Sequence, residues 1–186
     1  MVREYLDTPV PADALQRIVD AAVKTPSAGF SQGQSLVVVI DKGQRERIAK
    51  SAREREYIGR GFEPWLSVAP VHFVITVSEQ AYIDRYREND KLGPEMDVLP
   101  WDVPYWWVDG GATMMAILLA AVAEGLAAGF LGAHSFKDLR SIVDIPDSES
   151  VLGVVTVGYE AHSVQESRSL PRRRRPRSEV VHWDRW

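Results

Sequence analysis

Cysteine is absent from this 186-residue chain, which excludes disulfide bonds, thiolate nucleophiles and cysteine-ligated zinc or iron–sulfur clusters. The chain also contains no GxGxxG fingerprint, no phosphate-binding P-loop and no HExxH. Its four histidines are scattered, and none has a second histidine at metal-ligand spacing, so we expect no metal site. If the protein is an enzyme, a bound cofactor must carry the difficult chemistry.

The composition is that of one ordinary globular domain, because 45% of the residues are apolar and 26% are charged. We therefore expect a single domain over 1–186. No basic region followed by an apolar stretch opens the chain, which predicts a cytoplasmic protein. The net charge is −4, but residues 168–186 carry seven arginines against two acidic residues. This basic C-terminal tail predicts contact with an anion: nucleic acid, a membrane, an acidic partner or a bound phosphate.

Apolar periodicity and turn residues predict interleaved helices and strands, and hence an α+β fold. Helical patterns cover 9–24, 43–60, 79–92 and 110–123, and strand patterns cover 36–40, 68–77, 125–133 and 151–159, with a short fifth strand at 179–183. Asp109 is expected to cap the helix 110–123. That helix is apolar on all sides but short for a membrane span, which favours a core or subunit interface over a membrane protein.

An aromatic and proline-rich segment precedes this helix at 93–107. It contains three prolines, three tryptophans and a tyrosine, and its pattern fits no regular element. Long loops of this kind inside a compact domain are usually functional.

Three stretches together resemble the nitroreductase-like family of FMN-dependent flavoproteins. The first is VREYLDTPVPADALQRIVDAAVKTPSAGFSQGQSLVVVID at the start of the chain. The second is WVDGGATMMAILLAAVAEGLAAGFLGAH, and the third is LGVVTVGYEAH followed by PRRRRPRSEVVHWDRW. Each stretch is a weak signal alone, but the three occur in the family's order and spacing over nearly the whole chain.

The resemblance implies a nitroreductase-like α+β fold with a central mixed, mainly antiparallel sheet flanked by helices. It also implies a homodimer built around the central apolar helix, with FMN at the subunit interface and the tail 176–186 reaching across to the other subunit. NADH or NADPH would reduce the flavin and leave before a nitroaromatic, quinone or enone acceptor binds. The flavin would carry the chemistry, so no side chain is expected to be catalytic.

The resemblance also assigns residues to the FMN phosphate. Arg3 matches the family's second N-terminal basic residue, and Arg173 and Arg175 match the two tail basics before Pro176. Arginine holds phosphate well through charge-assisted hydrogen bonds. A solvated tail or a nucleic-acid patch is the competing interpretation of RRRRPR, and the acidic body of the chain argues against nucleic acid.

Two further segments match the flavin-ring contacts of the family. The loop residues expected at the flavin are Pro26, Ser27, Ala28, Gly29 and Gln32. Leu131 and Gly132, with Phe130, align where a strand brings a backbone amide to the reactive flavin edge. Without the resemblance, the first segment would be a plain helix-to-strand loop and Phe130 a core residue.

In similar flavoproteins the insertion before the central helix lies over the flavin, so 93–107 is expected to act as a lid. Tyr105 or Trp106 would then line the acceptor pocket and contact the small-molecule acceptor. The alternative is a hydrophobic plug that seals the dimer.

The sequence also departs from the family pattern. Gly33 and Gln34 stand where many members have Pro-Trp, and Met1 falls inside the N-terminal basic motif, so the family's first arginine is not in this sequence. The loop PSAGFSQ is close to that of 5,6-dimethylbenzimidazole synthase, although that enzyme's acidic residue would align at Met1. An FMN-binding storage or regulatory module without turnover stays open, and deiodinase-like chemistry finds no matching lid residues.

Overall fold

The computed structural model describes residues 1–92, 101–161 and 174–186. The regular elements follow one another in the order α1 Ala12–Val23, β1 Gln34–Val39, α2 Lys42–Ser51, α3 Glu54–Ile58, β2 Val71–Val77, α4 Glu79–Arg85, α5 Tyr105–Ala123, β3 Ala127–Gly132, α6 Leu139–Ile142 and β4 Ser150–Gly158. The predicted α+β order is therefore confirmed.

The four strands form one sheet in the order β1-β2-β4-β3, and each neighbouring pair is antiparallel. Gln34 pairs with Val77 at one end of the sheet, and Gly132 pairs with Gly153 at the same end of the β3–β4 pair. Strands β1 and β3 are thus the two outer strands, and the loop before β1 and the turn after β3 leave from the same end of the sheet.

Helices cover both faces of the sheet. On one face, Ile18 and Ala22 of α1 and Ile117 of α5 are buried against β2 and β4. On the other face, Ile48 of α2 and Leu139 of α6 pack over the same two strands. Full burial of one such aliphatic side chain contributes about 1.5–3 kcal/mol, so these two layers account for much of the fold's stability.

Helix α5 begins at Tyr105, five residues earlier than predicted. Its first turn contains Trp106 and Trp107, so the end of the predicted loop 93–107 is helical. The prediction that Asp109 caps this helix is wrong: Asp109 lies inside it and is buried, and Pro104 occupies the N-cap position. Residues 93–100 of that loop lie outside the described residues.

The 19 residues of α5 are long and apolar enough to cross a membrane by length and composition alone. In the structure, however, α5 packs against α1 and strands of the sheet as a core helix does. Its opposite side exposes Val108, Met115, Leu119 and Val122. A core helix with an uncovered apolar face is typical of a subunit interface.

The end of the chain forms no fifth strand. Arg177–Glu179 is a short 3₁₀ helix, and the residues predicted as strand 179–183 are exposed and unpaired with the described sheet. EVVHW has a high β propensity, but it pairs with none of the four described strands, so its propensity does not determine its conformation here. Trp183 and Trp186 are also exposed, and Trp186 stacks on His182 at 4.3 Å between ring centroids.

Buried polar side chains hold the segment that leads into β2. The Glu54 carboxylate accepts hydrogen bonds from the backbone N–H groups of Trp65, Leu66 and Ser67. Arg45 donates to the carbonyl of Ala69 at 2.7 Å. His72, fully buried in β2, lies with Nε2 2.7 Å from the carbonyl oxygen of Leu66. This cluster fixes the backbone at Trp65, whose ring lies beside Arg3.

Candidate active site

A strained loop connects α1 to β1. Gly29, Phe30 and Gln32 all have positive φ angles, of 60°, 61° and 52°. For side chains other than glycine this conformation costs of order 1–3 kcal/mol and is enriched at binding sites. Phe30 is also 72% exposed, so burial of its side chain does not offset the strain. Both observations favour a functional loop over a plain connection.

The hydrogen bonds of this loop decide which of its groups can meet a ligand. The N–H of Ala28 points inward and donates to Oδ2 of Asp109 at 2.8 Å. The Ser27 hydroxyl oxygen accepts from the N–H of Gln32 at 2.9 Å, which leaves its own proton to donate. The Gln32 side chain is exposed. Ser27 and Gln32 are therefore the side chains of the loop best placed to bind a ligand.

Aromatic side chains support the loop from behind. A Cβ added to Gly29 would lie 2.6 Å from the ring of Tyr86, and one added to Gly33 would lie 2.6 Å from the ring of Tyr82. Tyr82 is fully buried and donates its hydroxyl to Asp109 at 2.7 Å. Burial, and then the bond to Asp109, raises the pKa of the Tyr82 hydroxyl well above its usual value. The tyrosine therefore stays protonated as a donor.

The segment GFSQG matches the GxSxG pattern of serine hydrolases at residues 29–33. A nucleophile elbow requires a strand–turn–helix context and a serine in a strained conformation. Here the context is helix–loop–strand, Ser31 has an ordinary φ of −69°, and its hydroxyl donates to the carbonyl of Ala28. The structure therefore does not support a nucleophilic role for Ser31.

The outer edge of β3, on the side away from β4, presents backbone groups at the opposite side of the sheet from the loop. The carbonyl of Ala128 accepts from the N–H of Val2 on the side away from β4. Because backbone groups alternate in direction along a strand, the backbone groups of Phe130 and Gly132 also point to that outer edge. Leu131 points the other way, toward Val154 of β4. The β3 amides that point away from β4 are thus those of Phe130 and Gly132.

Arg3 lies beside the same edge strand. Its neighbour Val2 is bonded to Ala128, and its guanidinium carbon is 5.6 Å from the centroid of the Trp65 ring. This is a cation–π distance. The side chain is exposed, so its remaining donors face solvent.

Within one chain the predicted site residues therefore form two groups. Ser27 and Gln32 belong to the loop beside β1, whereas Gly132 and Arg3 lie along β3 at the opposite edge. Three inter-strand spacings of ~4.8 Å separate these edges by roughly 14 Å. Pro26 is exposed within the first group. Arg175 is exposed in the tail, and Arg173 lies outside the described residues.

The residues predicted for the acceptor pocket form part of an aromatic cluster near the loop. Trp106 is half-buried, with its ring centroid 6.1 Å from that of Tyr82. The ring centroid of Trp101 lies 4.4 Å from that of Tyr86 and 5.8 Å from that of Tyr105. Tyr105 itself is 41% exposed. The cluster thus packs against Tyr82 and Tyr86 and leaves the Tyr105 ring partly exposed to solvent.

Among residues 1–92, 101–161 and 174–186, no cluster of three or more His, Asp or Glu side chains could hold a metal ion.

Comparison with known proteins identifies the family. The model of the nitroreductase family matches residues 1–57 and 55–159. The chain belongs to the nitroreductase family. It is 24% identical to the FMN reductase [NAD(P)H] of Bacillus subtilis over 183 residues, covering 97% of this chain and 68% of that protein. It is 23% identical to the NADH dehydrogenase of Thermus thermophilus over 198 residues, covering 98% and 90%.

A solved structure agrees with this assignment at the level of the fold. The NADPH:FMN oxidoreductase of Vibrio harveyi complexed with NAD⁺ superimposes with a TM-score of 0.70 at 21% identity, covering 100% of this chain and 73% of that one. The nitroreductase-like fold predicted from the three sequence stretches is therefore confirmed.

Proposed function

We propose that this nitroreductase-family protein is a cytoplasmic, FMN-dependent NAD(P)H oxidoreductase. Its acceptors would be electron-poor small molecules of the nitroaromatic, quinone or enone type. The observation that carries the proposal is the outer edge of β3 in a chain of this family, where the alternation of strand groups directs the amides of Phe130 and Gly132 away from β4. The names of the relatives, FMN reductase and NADPH:FMN oxidoreductase, support the same class of reaction.

The residues present fit FMN chemically. An isoalloxazine ring has carbonyl oxygens and ring nitrogens that need donors, and the Ser27 hydroxyl, the Gln32 amide and the β3 amides can supply them. Its phosphate is anionic, and we assign it to Arg3, Arg173 and Arg175. Bound FMN would supply the electron transfer, taking electrons from NADH or NADPH and passing them to the acceptor.

We propose further that two chains form a homodimer through the outer face of α5. Leu119 and Val122 on this face are 63% and 65% exposed. A cavity of about 420 Å³ lined by Val2, Leu118 and Leu119, among others, adjoins it. A two-fold interface would cover this apolar surface. It would also bring the loop of one subunit toward the β3 edge of the other, whereas within one subunit the two lie at opposite edges of the sheet.

The roles of the chain are to bind, orient and exclude water. The loop and the β3 edge would fix the ring between them, and Tyr105 and Trp106 would contact the acceptor. Orientation of this kind lowers the barrier without a catalytic side chain, and water can supply the protons. The exposed tail residues Trp183 and Trp186 would pack on the partner subunit.

Turnover separates this proposal from a binding module. Purified protein supplied with FMN should oxidise NADH or NADPH when a benzoquinone or a nitroarene is present. Tight FMN binding without acceptor-dependent NAD(P)H oxidation would favour a storage or regulatory role. Release of a benzimidazole from FMN under oxygen would favour the flavin-fragmenting alternative.

The phosphate assignment has its own test. A charge-assisted hydrogen bond contributes about 1.5–3 kcal/mol, roughly ten- to a hundred-fold in affinity. Replacing Arg173 and Arg175 with alanine should therefore weaken FMN binding far more than the matched replacement of Arg172 and Arg174. Equal losses from the two double variants would indicate a non-specific basic tail.

A further inference from the structure

We propose that Asp109 is a positioning residue that holds the loop 25–32 in the shape required for FMN. The inference rests on the proposed FMN site and extends it to a residue that does not itself face the ligand. The geometry centres on one carboxylate oxygen, Oδ2, which accepts from the N–H of Ala28 at 2.8 Å and from the hydroxyl of Tyr82 at 2.7 Å.

Burial makes this contact strong. Asp109 is only 8% exposed and Tyr82 is fully buried, so the bond between them lies in a region of low dielectric, where a charge-assisted bond is stronger than in water. The bond to the Ala28 N–H is partly buried and shares the same carboxylate oxygen. Removing the carboxylate would leave the Ala28 N–H and the Tyr82 hydroxyl without this acceptor. An unmade hydrogen bond of a buried donor is costly, so the loop would shift to satisfy them.

The contact also determines the direction of the neighbouring groups. Because the Ala28 amide is turned inward to Asp109, the Ser27 hydroxyl is left on the outer side, where it accepts from Gln32. Phe30 and Gln32, two and four residues after Ala28, have strained positive φ angles. Such strain persists only where the surroundings hold the backbone firmly, and Asp109 provides that hold.

A second link between α5 and the loop lies one helical turn further along. The hydroxyl of Thr113 is 2.8 Å from that of Thr25 and 3.1 Å from the carbonyl oxygen of Asp109. Helix α5 therefore holds the loop at Thr25 through a hydroxyl pair and at Ala28 through the carboxylate. Of the two, the Asp109 contact lies closest to the ligand-facing groups.

Three variants test the role of Asp109. Asp109→Ala removes the acceptor, and we expect at least a ten-fold loss of FMN affinity. Asp109→Asn should keep affinity within about three-fold, because its amide oxygen can take the position of Oδ2 and accept both bonds. Asp41→Ala is the matched control: it also removes a carboxylate-to-amide bond, to the N–H of Gln44 at 2.8 Å, but it caps α2 on the other face of the sheet.

Amide hydrogen exchange gives a readout that does not depend on FMN. The Ala28 amide should exchange slowly in the wild-type protein and in Asp109→Asn, and at least ten-fold faster in Asp109→Ala. If Asp109→Ala does not fold, Tyr82→Phe replaces it, with a smaller loss of affinity and faster Ala28 exchange expected. Melting temperatures of all variants separate loop effects from global destabilisation.

Two results would overturn the inference. One is wild-type FMN affinity in a folded Asp109→Ala variant, and the other is rapid exchange of the Ala28 amide in the wild-type protein. Failure of the wild-type protein to bind FMN would instead refute the proposed function, while the exchange of Ala28 would still show whether Asp109 holds the loop.

Discussion

Acid sensitivity should originate largely at His72, which is fully buried in β2. Its Nε2 faces the carbonyl oxygen of Leu66 and so must carry the proton, while Nδ1 has no partner in the described structure. Burial lowers the pKa of His72 from 6.5 to about 4, the bond to Leu66 opposes the shift, and the nearby Arg45 adds to it. The imidazole is therefore neutral in the folded protein at neutral pH.

The magnitude follows from proton linkage. An unfolded histidine takes up a proton near pH 6.5, whereas folded His72 resists it down to about pH 4. Between these values the unfolded state binds more protons, so stability is lost as the pH falls. At 1.36 kcal/mol per unit, the shift corresponds to about 3 kcal/mol between pH 6.5 and pH 4.

The assay is urea unfolding at several pH values and fixed protein concentration. His72→Gln retains a side-chain donor for Leu66 but cannot titrate. Between pH 6.5 and pH 4, its free energy of unfolding should therefore fall by about 3 kcal/mol less than that of the wild-type protein. Carboxylates titrate equally in both proteins and cancel in the difference. His134→Gln, which replaces an exposed histidine, is the control. Parallel pH curves for wild type and His72→Gln would refute the reasoning.

Three further predictions concern the site and the interface. Gly29→Ala should weaken FMN binding at least ten-fold in a fluorescence titration, because its Cβ would lie 2.6 Å from the Tyr86 ring. Gly61→Ala is the control: it has a similar φ cost but no neighbour within 4 Å, so it should bind FMN normally. Leu119→Glu should convert a dimer to monomers in sedimentation, since it places a charge on the apolar face of α5, and a dimer that persists would contradict this interface. Trp106→Ala should change the KM for the acceptor while FMN binding and the dimer persist; loss of the dimer with unchanged acceptor preference would assign Trp106 to the structural plug.

Local patterns predicted the parts of the fold that depend on local spacing. In α1, Leu15, Ile18 and Ala22 recur at helical intervals, and the structure buries Ile18 and Ala22 in the core. The β-branched runs around Val37 and Val154 become strands for the same reason. In these segments, the residues that are apolar at regular spacing are the ones that face the core.

Contacts between residues far apart in the chain determine the features that local sequence patterns do not predict. The sequence does not predict the start of α5 because aromatic residues flanked by prolines resemble a loop, and their helical spacing matters only once Trp106 packs on Tyr82. The sequence suggests a capping role for Asp109 because its partners in the structure, Ala28 and Tyr82, are 81 and 27 residues away. The separation of the loop and Gly132 at opposite edges of the sheet follows from strand order, which local patterns do not contain.

We propose above all that this chain binds FMN and passes electrons from a nicotinamide through it. The most direct measurement is the visible absorption spectrum of the protein after mixing with FMN and removal of free flavin, followed by anaerobic addition of NADH or NADPH. We expect about one FMN retained per subunit, bleaching of the flavin bands by the nicotinamide, and their return when a quinone is added. A desalted protein without flavin absorption, or a retained flavin that neither NADH nor NADPH bleaches, would contradict it.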